Sequence, residues 1–392
     1  MKTMIRAYIN AKTVHENSIS DEVILTENGK LISLCRRFEK ADEIIDCKGL
    51  YLSQGFADIH VHGGGGFSAM SDDPSDIAKM CKAHALYGTT SIVPTTLAAP
   101  VSRLQKAIDS ICKAKELSED SNILGIHLEG PFISPSKKGA QSPENILIPD
   151  KNNLSELLDY SENILMIGAA PEIDNGMMVG EEAAKRNIVA SVAHSDADFS
   201  IAEEALSHGY SDITHIFSAS SAMHKNGIFR EVGVAEAGLA LDGYTTQFIG
   251  DLRHLPYGCL KLIYKAKGAD RAYAITDGLE YSAYSMKEGT VIMQENGLEV
   301  LYEDNVMKLK DRSCLAGSVA TLNRIVANLV KVCGVPLTDA VKMANLTPLK
   351  VIGKDNVKGR LQEGYDEDII LFDDDINVKY VTVKGKNILK LS

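Results

Sequence analysis

The chain has 392 residues, 45% hydrophobic and 24% charged, enough for two domains or one large barrel with an appendage, which excludes a stapled mini-protein, a disordered chain and a coiled coil. Its 41 lysines and arginines against 53 aspartates and glutamates leave a net charge of −12, a field that repels nucleic acid and anionic membranes, so an anionic substrate has to be met by a local basic cluster. Seven scattered cysteines (Cys35, Cys47, Cys81, Cys112, Cys259, Cys314 and Cys333), with no C-x-x-C pair, read as reduced core fillers. No apolar run approaches the roughly 20 residues of a membrane span, and the N-terminal stretch lacks the pattern of a secretory leader, so a cytoplasmic location is expected.

In chain order, residues 1 to about 52 read as short strands: Met4 to Ile9, Val23 to Thr26, then the Asn28-Gly29 hairpin dipeptide and Leu31 to Leu34. Apolar β-branched runs follow at Phe56–Val61, Thr90–Pro94, Ile123–Leu128, Ile164–Ala169, Ile188–Ala193, Asp212–Phe217, Thr246–Ile249 and Ala272–Thr276. Helical periods fill most gaps, over Pro74–Tyr87, Val101–Leu117, Phe199–His208, Pro256–Lys267 and Ser318–Cys333. The last forty residues turn β-rich again, with Asp368–Phe372 and an alternation from Lys379 to Ile388 around Lys384-Gly385-Lys386. Strands alternating with helices in eight units imply an α/β chain closed as a (β/α)8 TIM barrel. An open doubly wound sheet is the rival, disfavoured because no G-x-G-x-x-G follows the first strand. The Gly63 to Gly66 run has no following Lys-Ser or Lys-Thr and reads as a flexible loop, not a P-loop.

In Ala57-Asp58-Ile59-His60-Val61-His62, strand periodicity puts Asp58, His60 and His62 on one face. Two imidazoles inside a buried apolar strand are costly unless something binds them, and metal ligation suits them. Strand three ends in Glu129, strand five in His194, strand six in His215 and strand eight in Asp277. In a TIM barrel the C-terminal strand ends ring one mouth, so these six residues are expected to converge there. Nitrogen and carboxylate ligands without thiolate suit Zn²⁺, with Fe²⁺ or Mn²⁺ as alternatives, in a catalytic site with an open position. His15, His84 and His208 are expected to be solvated, and His127, out of phase with Glu129, to pack or to support a ligand.

The run His127-Leu128-Glu129-Gly130-Pro131-Phe132, followed by Lys137-Lys138-Gly139-Ala140, resembles the signature of the N-acetylglucosamine-6-phosphate deacetylases of the amidohydrolase superfamily. Gly55 to His62, Ala170-Pro171-Glu172, Ala193-His194-Ser195, Thr214-His215-Ile216-Phe217, Thr276-Asp277, Leu315-Ala316-Gly317-Ser318 and Gly359 to Leu371 are similar too, in family order. The resemblance implies a small β-domain from both termini (1–52 plus 353–392) beside a barrel over 53–352, and removal of the N-acetyl group from N-acetylglucosamine 6-phosphate. It assigns Glu129, His194 and His215 to a principal divalent metal and His60 and His62 to a second, giving one or two ions per chain. Asp277 matches the general acid/base and His254 a substrate-contacting histidine. Arg230 matches an arginine that reaches the phosphate from a neighbouring subunit, which implies a homodimer.

Three positions depart from the family pattern. Gln141 stands in place of a substrate-contacting histidine, Phe217-Ser218-Ala219 in place of Phe-Asn-Ala, and Asp251-Leu252-Arg253-His254 lacks a glycine after the aspartate. Gln141, Ser218 and Ala219 are expected at the substrate, with Lys225 and Arg253 as further cations for the phosphate. These departures keep open the galactosamine epimer or another small amide as substrate. A catalytically silent binding module is disfavoured, because the expected metal ligands are all retained.

Overall fold

Eight buried apolar segments pair in parallel and in chain order: β1 (Phe56–Val61), β2 (Thr89–Thr96), β3 (Ile126–Glu129), β4 (Ile164–Ala169), β5 (Val189–Val192), β6 (Tyr210–Ile213), β7 (Thr245–Ile249) and β8 (Ala272–Ile275). These are the eight runs read from the sequence, and they form the barrel expected of them. The computed structural model describes residues 4–293, 299–313 and 315–391, so Cys314 lies outside the described residues. All six residues of β1 and all eight of β2 are buried, as parallel strands covered on both faces require. The ring closes between β8 and β1 through Asp277 N–H to the His60 carbonyl (3.0 Å), with the His62 and Gly63 N–H groups both on the Gly278 carbonyl (2.8 Å each). That closure sets Asp277 beside the two histidines of β1.

Both chain ends build sheets outside the barrel. Ile5–Ile9 lies between Val23–Glu27 and Glu43–Asp46 in a four-stranded sheet. In a six-stranded sheet Tyr51–Gln54, from the first part of the chain, pairs antiparallel with Ile369–Phe372 from the last. Tyr8, Ile24, Leu31, Leu52, Ile369, Leu371 and Tyr380 pack as one core, beside which buried Arg6 donates to Glu367 (2.5 Å). Asn28-Gly29 (φ 51° and 77°) and Lys384-Gly385 (φ 48° and 79°) both take the doubly left-handed geometry of tight hairpin turns. The two turns touch: a Cβ on Gly29 would lie 2.4 Å from the Lys384 carbonyl oxygen.

Several elements differ from the sequence reading. The last long helix spans Leu322–Lys331 rather than starting at Ser318, because Ser318 is spent on a bridge to Gly278 and on accepting the Ala320 N–H. The run from Ile123 breaks at Leu124-Gly125 into Asn122–Ile123 and β3. Two additions carry no helical or barrel-strand signal: an exposed hairpin of His224–Asn226 and Phe229–Glu231, and a three-stranded sheet of Val291–Met293, Glu299–Glu303 and Val306–Leu309. His84, expected in solvent, is fully buried on the helix Pro74–Ala85, with Nε2 2.9 Å from the Gly63 carbonyl. The glycine run makes room for it, since a Cβ on Gly64 would meet that nitrogen at 2.4 Å. No helix among the described residues is long and apolar enough to cross a membrane.

Candidate active site

Glu129, the last residue of β3, is the hub of the barrel mouth. Its Oε1 lies 3.2 Å from His60 Nε2, 3.1 Å from His194 Nε2 and 3.0 Å from His215 Nε2, and its Oε2 lies 3.4 Å from His62 Nε2. Asp277 Oδ1 stands 3.1 Å from His62 Nε2 and 3.6 Å from His60 Nε2. The six residues expected at one mouth are thus brought together from β1, β3 and the loops after β5, β6 and β8. His194, His215 and Asp277 each sit two residues past their strand with left-handed backbone (φ 47°, 24° and 47°), a turn that folds the side chain back over the mouth.

What the imidazoles do is fixed by their other nitrogens. His60 Nδ1 donates to Gln247 Oε1 (2.8 Å), His62 Nδ1 to the Thr95 carbonyl (3.1 Å), His194 Nδ1 to that of Lys137 (2.8 Å) and His215 Nδ1 to that of Ser218 (3.1 Å). With every Nδ1 committed, all four Nε2 atoms turn towards the carboxylate between them, where each can offer its lone pair to a cation held there. Two overlapping triads result, His60/His62/Glu129 and Glu129/His194/His215, each with ligand atoms close enough to hold one cation. The donor set fits a divalent metal: nitrogen and carboxylate oxygen, buried, and without thiolate. Burial works against charge on each group, yet Glu129 and its neighbours bring His60 up to about 9 and His194 above its ordinary value. Burial likewise opposes ionisation of Glu129, but the surrounding imidazoles hold it well below the usual carboxylate range.

Residues 51–388 match the amidohydrolase family. The chain belongs to that family. Its relatives include N-acetylglucosamine-6-phosphate deacetylases of Bacillus subtilis (30% identical, over 85% of this chain and 83% of that protein) and Danio rerio (29%, over 98% and 96%). The crystal structure of N-acetylglucosamine-6-phosphate deacetylase from Pasteurella multocida superposes on this amidohydrolase with a TM-score of 0.90 at 26% identity, covering 99% of this chain and all of the other.

The remaining residues expected at the site of this amidohydrolase divide. His254 lies near Asp277; burial opposes its protonation, but its Nδ1 bond to Asp251 (2.7 Å) and that carboxylate's charge raise its pKa. Ser218 is half-buried and supplies the carbonyl that orients His215, with Ala219 next to it in left-handed backbone (φ 46°). Gln141 has both ends of its amide occupied: Nε2 donates to Glu129 Oε2 (2.7 Å), and Oε1 accepts the Ala98 N–H (3.0 Å). It therefore braces the hub carboxylate. Arg253 is drawn off to the Asp304 carbonyl (2.6 Å), and Arg230 and Lys225 stand on the exposed hairpin, where Ile228 and Phe229 are 85% and 70% exposed.

His127 is buried edge-on to His60, its Nδ1 on the Ile59 carbonyl (3.1 Å), as a packing residue of the mouth. Sequence reasoning missed Gln247, which joins His60 to buried Asp212 (2.8 Å). Burial pushes Asp212 up to about 6, against donors from Thr245, Ser191, Gln247 and Tyr273. The available signal was a glutamine in phase inside an apolar strand.

Proposed function

We propose that this chain hydrolyses the acetamide of N-acetylglucosamine 6-phosphate to glucosamine 6-phosphate and acetate. The observation that carries the reading is the set of four imidazoles, each oriented through Nδ1, around one carboxylate with Asp277 beside them. Glu129, His194 and His215 would hold the principal metal and His60 and His62 a second, with zinc the ion best suited to this donor set. A divalent ion bound there supplies Lewis acidity, polarising an amide carbonyl and making water acidic enough to ionise near neutral pH.

The chain's own groups supply the rest. Burial opposes ionisation of Asp277, but its bond to His62 and the charges of His60 and His215 keep its carboxyl below the ordinary value, so it is ready to take a proton from attacking water. The same carboxyl then gives that proton to the departing amine nitrogen as the C–N bond breaks. His254, protonated while Asp251 supports it, donates from Nε2 to the developing oxyanion. Arg230 would bind the 6-phosphate of a second copy's substrate: it stands on an exposed hairpin flanked by Ile228 and Phe229, apolar surface of the kind a homodimer covers.

The test is a set of deacetylation rates over N-acetylglucosamine and N-acetylgalactosamine, each with and without a 6-phosphate. N-acetylglucosamine 6-phosphate is expected to have the highest kcat/KM. A higher value for the galactosamine epimer would move the assignment to that sugar, and equal rates without phosphate would sink the phosphate reading.

A further inference from the structure

At the end of the barrel opposite the mouth, a cavity of about 300 Å³ lies between the turn 118–121, the segment after the helix Leu346–Val351, and the Lys384-Gly385 hairpin. Four lysines line it (Lys115, Lys354, Lys358 and Lys384) together with Ser118 and Ser121, and among the described residues no carboxylate does. In a chain of net charge −12 this is a local inversion of sign.

Two acids stand behind the wall and neutralise one of the four lysines: Asp366 and Asp368 both pair with Lys358 (2.7 and 2.6 Å), and Asp368 also takes the Asn122 amide and the Lys384 N–H. Glu119 and Asp120, in the turn itself, face Lys386 and Lys82. Lys115 donates to the neutral Asn163 amide (2.7 Å), and Lys354 and Lys384 make no ion pair among the described residues. Three ammonium groups around one space are thus left without a counter-charge among the described residues.

A second observation points the same way. Ser121 is 3% exposed, and its Oγ finds no hydrogen-bond partner among the described residues. A buried hydroxyl without a partner costs roughly 1–3 kcal/mol, a cost removed when the side chain of Ser121, a residue of the lining, turns about χ1 to set Oγ against a ligand oxygen.

We propose that this cavity binds a phosphate group, free or carried by a small metabolite, held by Lys115, Lys354 and Lys384 with Ser121 donating to a phosphate oxygen. Its volume suits a molecule of sugar-phosphate size. The segment from Asn122 to Glu129 places it roughly 20 Å from the hub carboxylate, at about 3.3 Å per residue, so occupancy here is separate from substrate at the mouth.

The experiment is lysine footprinting of the metal-loaded protein with an amine-acetylating reagent, read residue by residue by mass spectrometry. Inorganic phosphate and glucose 6-phosphate are titrated in separate arms, with ionic strength held constant by chloride. Labelling of Lys354 and Lys384 is expected to fall at least threefold and saturably, while exposed Lys113 on the neighbouring helix turn does not change. Protection should persist in Arg230→Ala and need severalfold more ligand in Ser121→Ala. Tighter protection by glucose 6-phosphate assigns a sugar phosphate, and equal protection assigns the free ion. No saturable protection, protection shared with Lys113, or protection lost in Arg230→Ala overturns the proposal.

Discussion

Replacing Gln141 by alanine removes a bridge with two ends. One end is a hydrogen bond to an ionised carboxylate, Gln141 Nε2 to Glu129 Oε2 at 2.7 Å, an interaction worth about 1.5–3 kcal/mol. The other satisfies the buried Ala98 N–H, whose orphaning costs roughly 1–3 kcal/mol. The Glu129 carboxylate would then be free to rotate about the axis that points Oε1 at His194 and His215. Loss of such a support typically lowers metal affinity about 10 to 100-fold.

The assay is competition between protein and a chelating dye for zinc, alongside thermal unfolding of metal-free and metal-loaded protein. We expect weaker zinc binding and a lower midpoint in both forms. Gln141→Glu sets a second carboxylate against Glu129, so the metal-free midpoint should fall further while the gain in midpoint on adding zinc grows, because a dication relieves that repulsion. Unchanged zinc affinity with only a raised KM would refute the reasoning and return Gln141 to direct contact with substrate.

Asp277→Asn should lower kcat by roughly 10² to 10⁴-fold with the principal metal retained; near wild-type turnover with metal bound would reassign the proton transfer. His254 can donate from Nε2 only while protonated, and Asp251 is what raises its pKa, so activity should fall as pH rises through that value. Asp251→Asn should move this alkaline limb of the kcat profile to lower pH, and an unmoved limb would remove His254 from oxyanion stabilisation. Arg230→Ala should cost about ten to a few hundredfold in kcat/KM on the phosphorylated sugar and little on the unphosphorylated one. Mixing it with Asp277→Asn chains should restore activity if the arginine crosses between subunits; equal losses on both sugars would mark Arg230 as structural.

The barrel and its hub were legible because both rest on local regularities. Runs of β-branched residues at even intervals specify parallel strands, and a polar residue ending such a run has one place to go, the C-terminal rim. His60, His62, Glu129, His194, His215 and Asp277 were readable on that ground alone. What the sequence conceals is the identity of partners across the ring. That Gln247 on β7 would orient His60, 187 positions earlier, depends on the register of strands that never adjoin in sequence. Gln141 reads as a substrate contact, and its bond to Glu129 becomes visible only once the loop carrying it is folded. His84 failed for a related reason: a polar residue near a helix end reads as solvated unless its neighbour's lack of side chains opens a pocket for it, and Gly64 does that here.

The left-handed backbone at His194, His215 and Asp277 bears on how this chain can evolve. Each conformation costs a residue with a Cβ about 1–2 kcal/mol relative to glycine, which adopts it freely. Selection for foldedness alone would therefore drift all three positions towards glycine or asparagine, at a gain in stability and with loss of the centre. Stability and the centre therefore pull in opposite directions at two histidines and an aspartate, and a variant that relaxes one of these turns with glycine gains backbone freedom only by giving up a side chain of the centre.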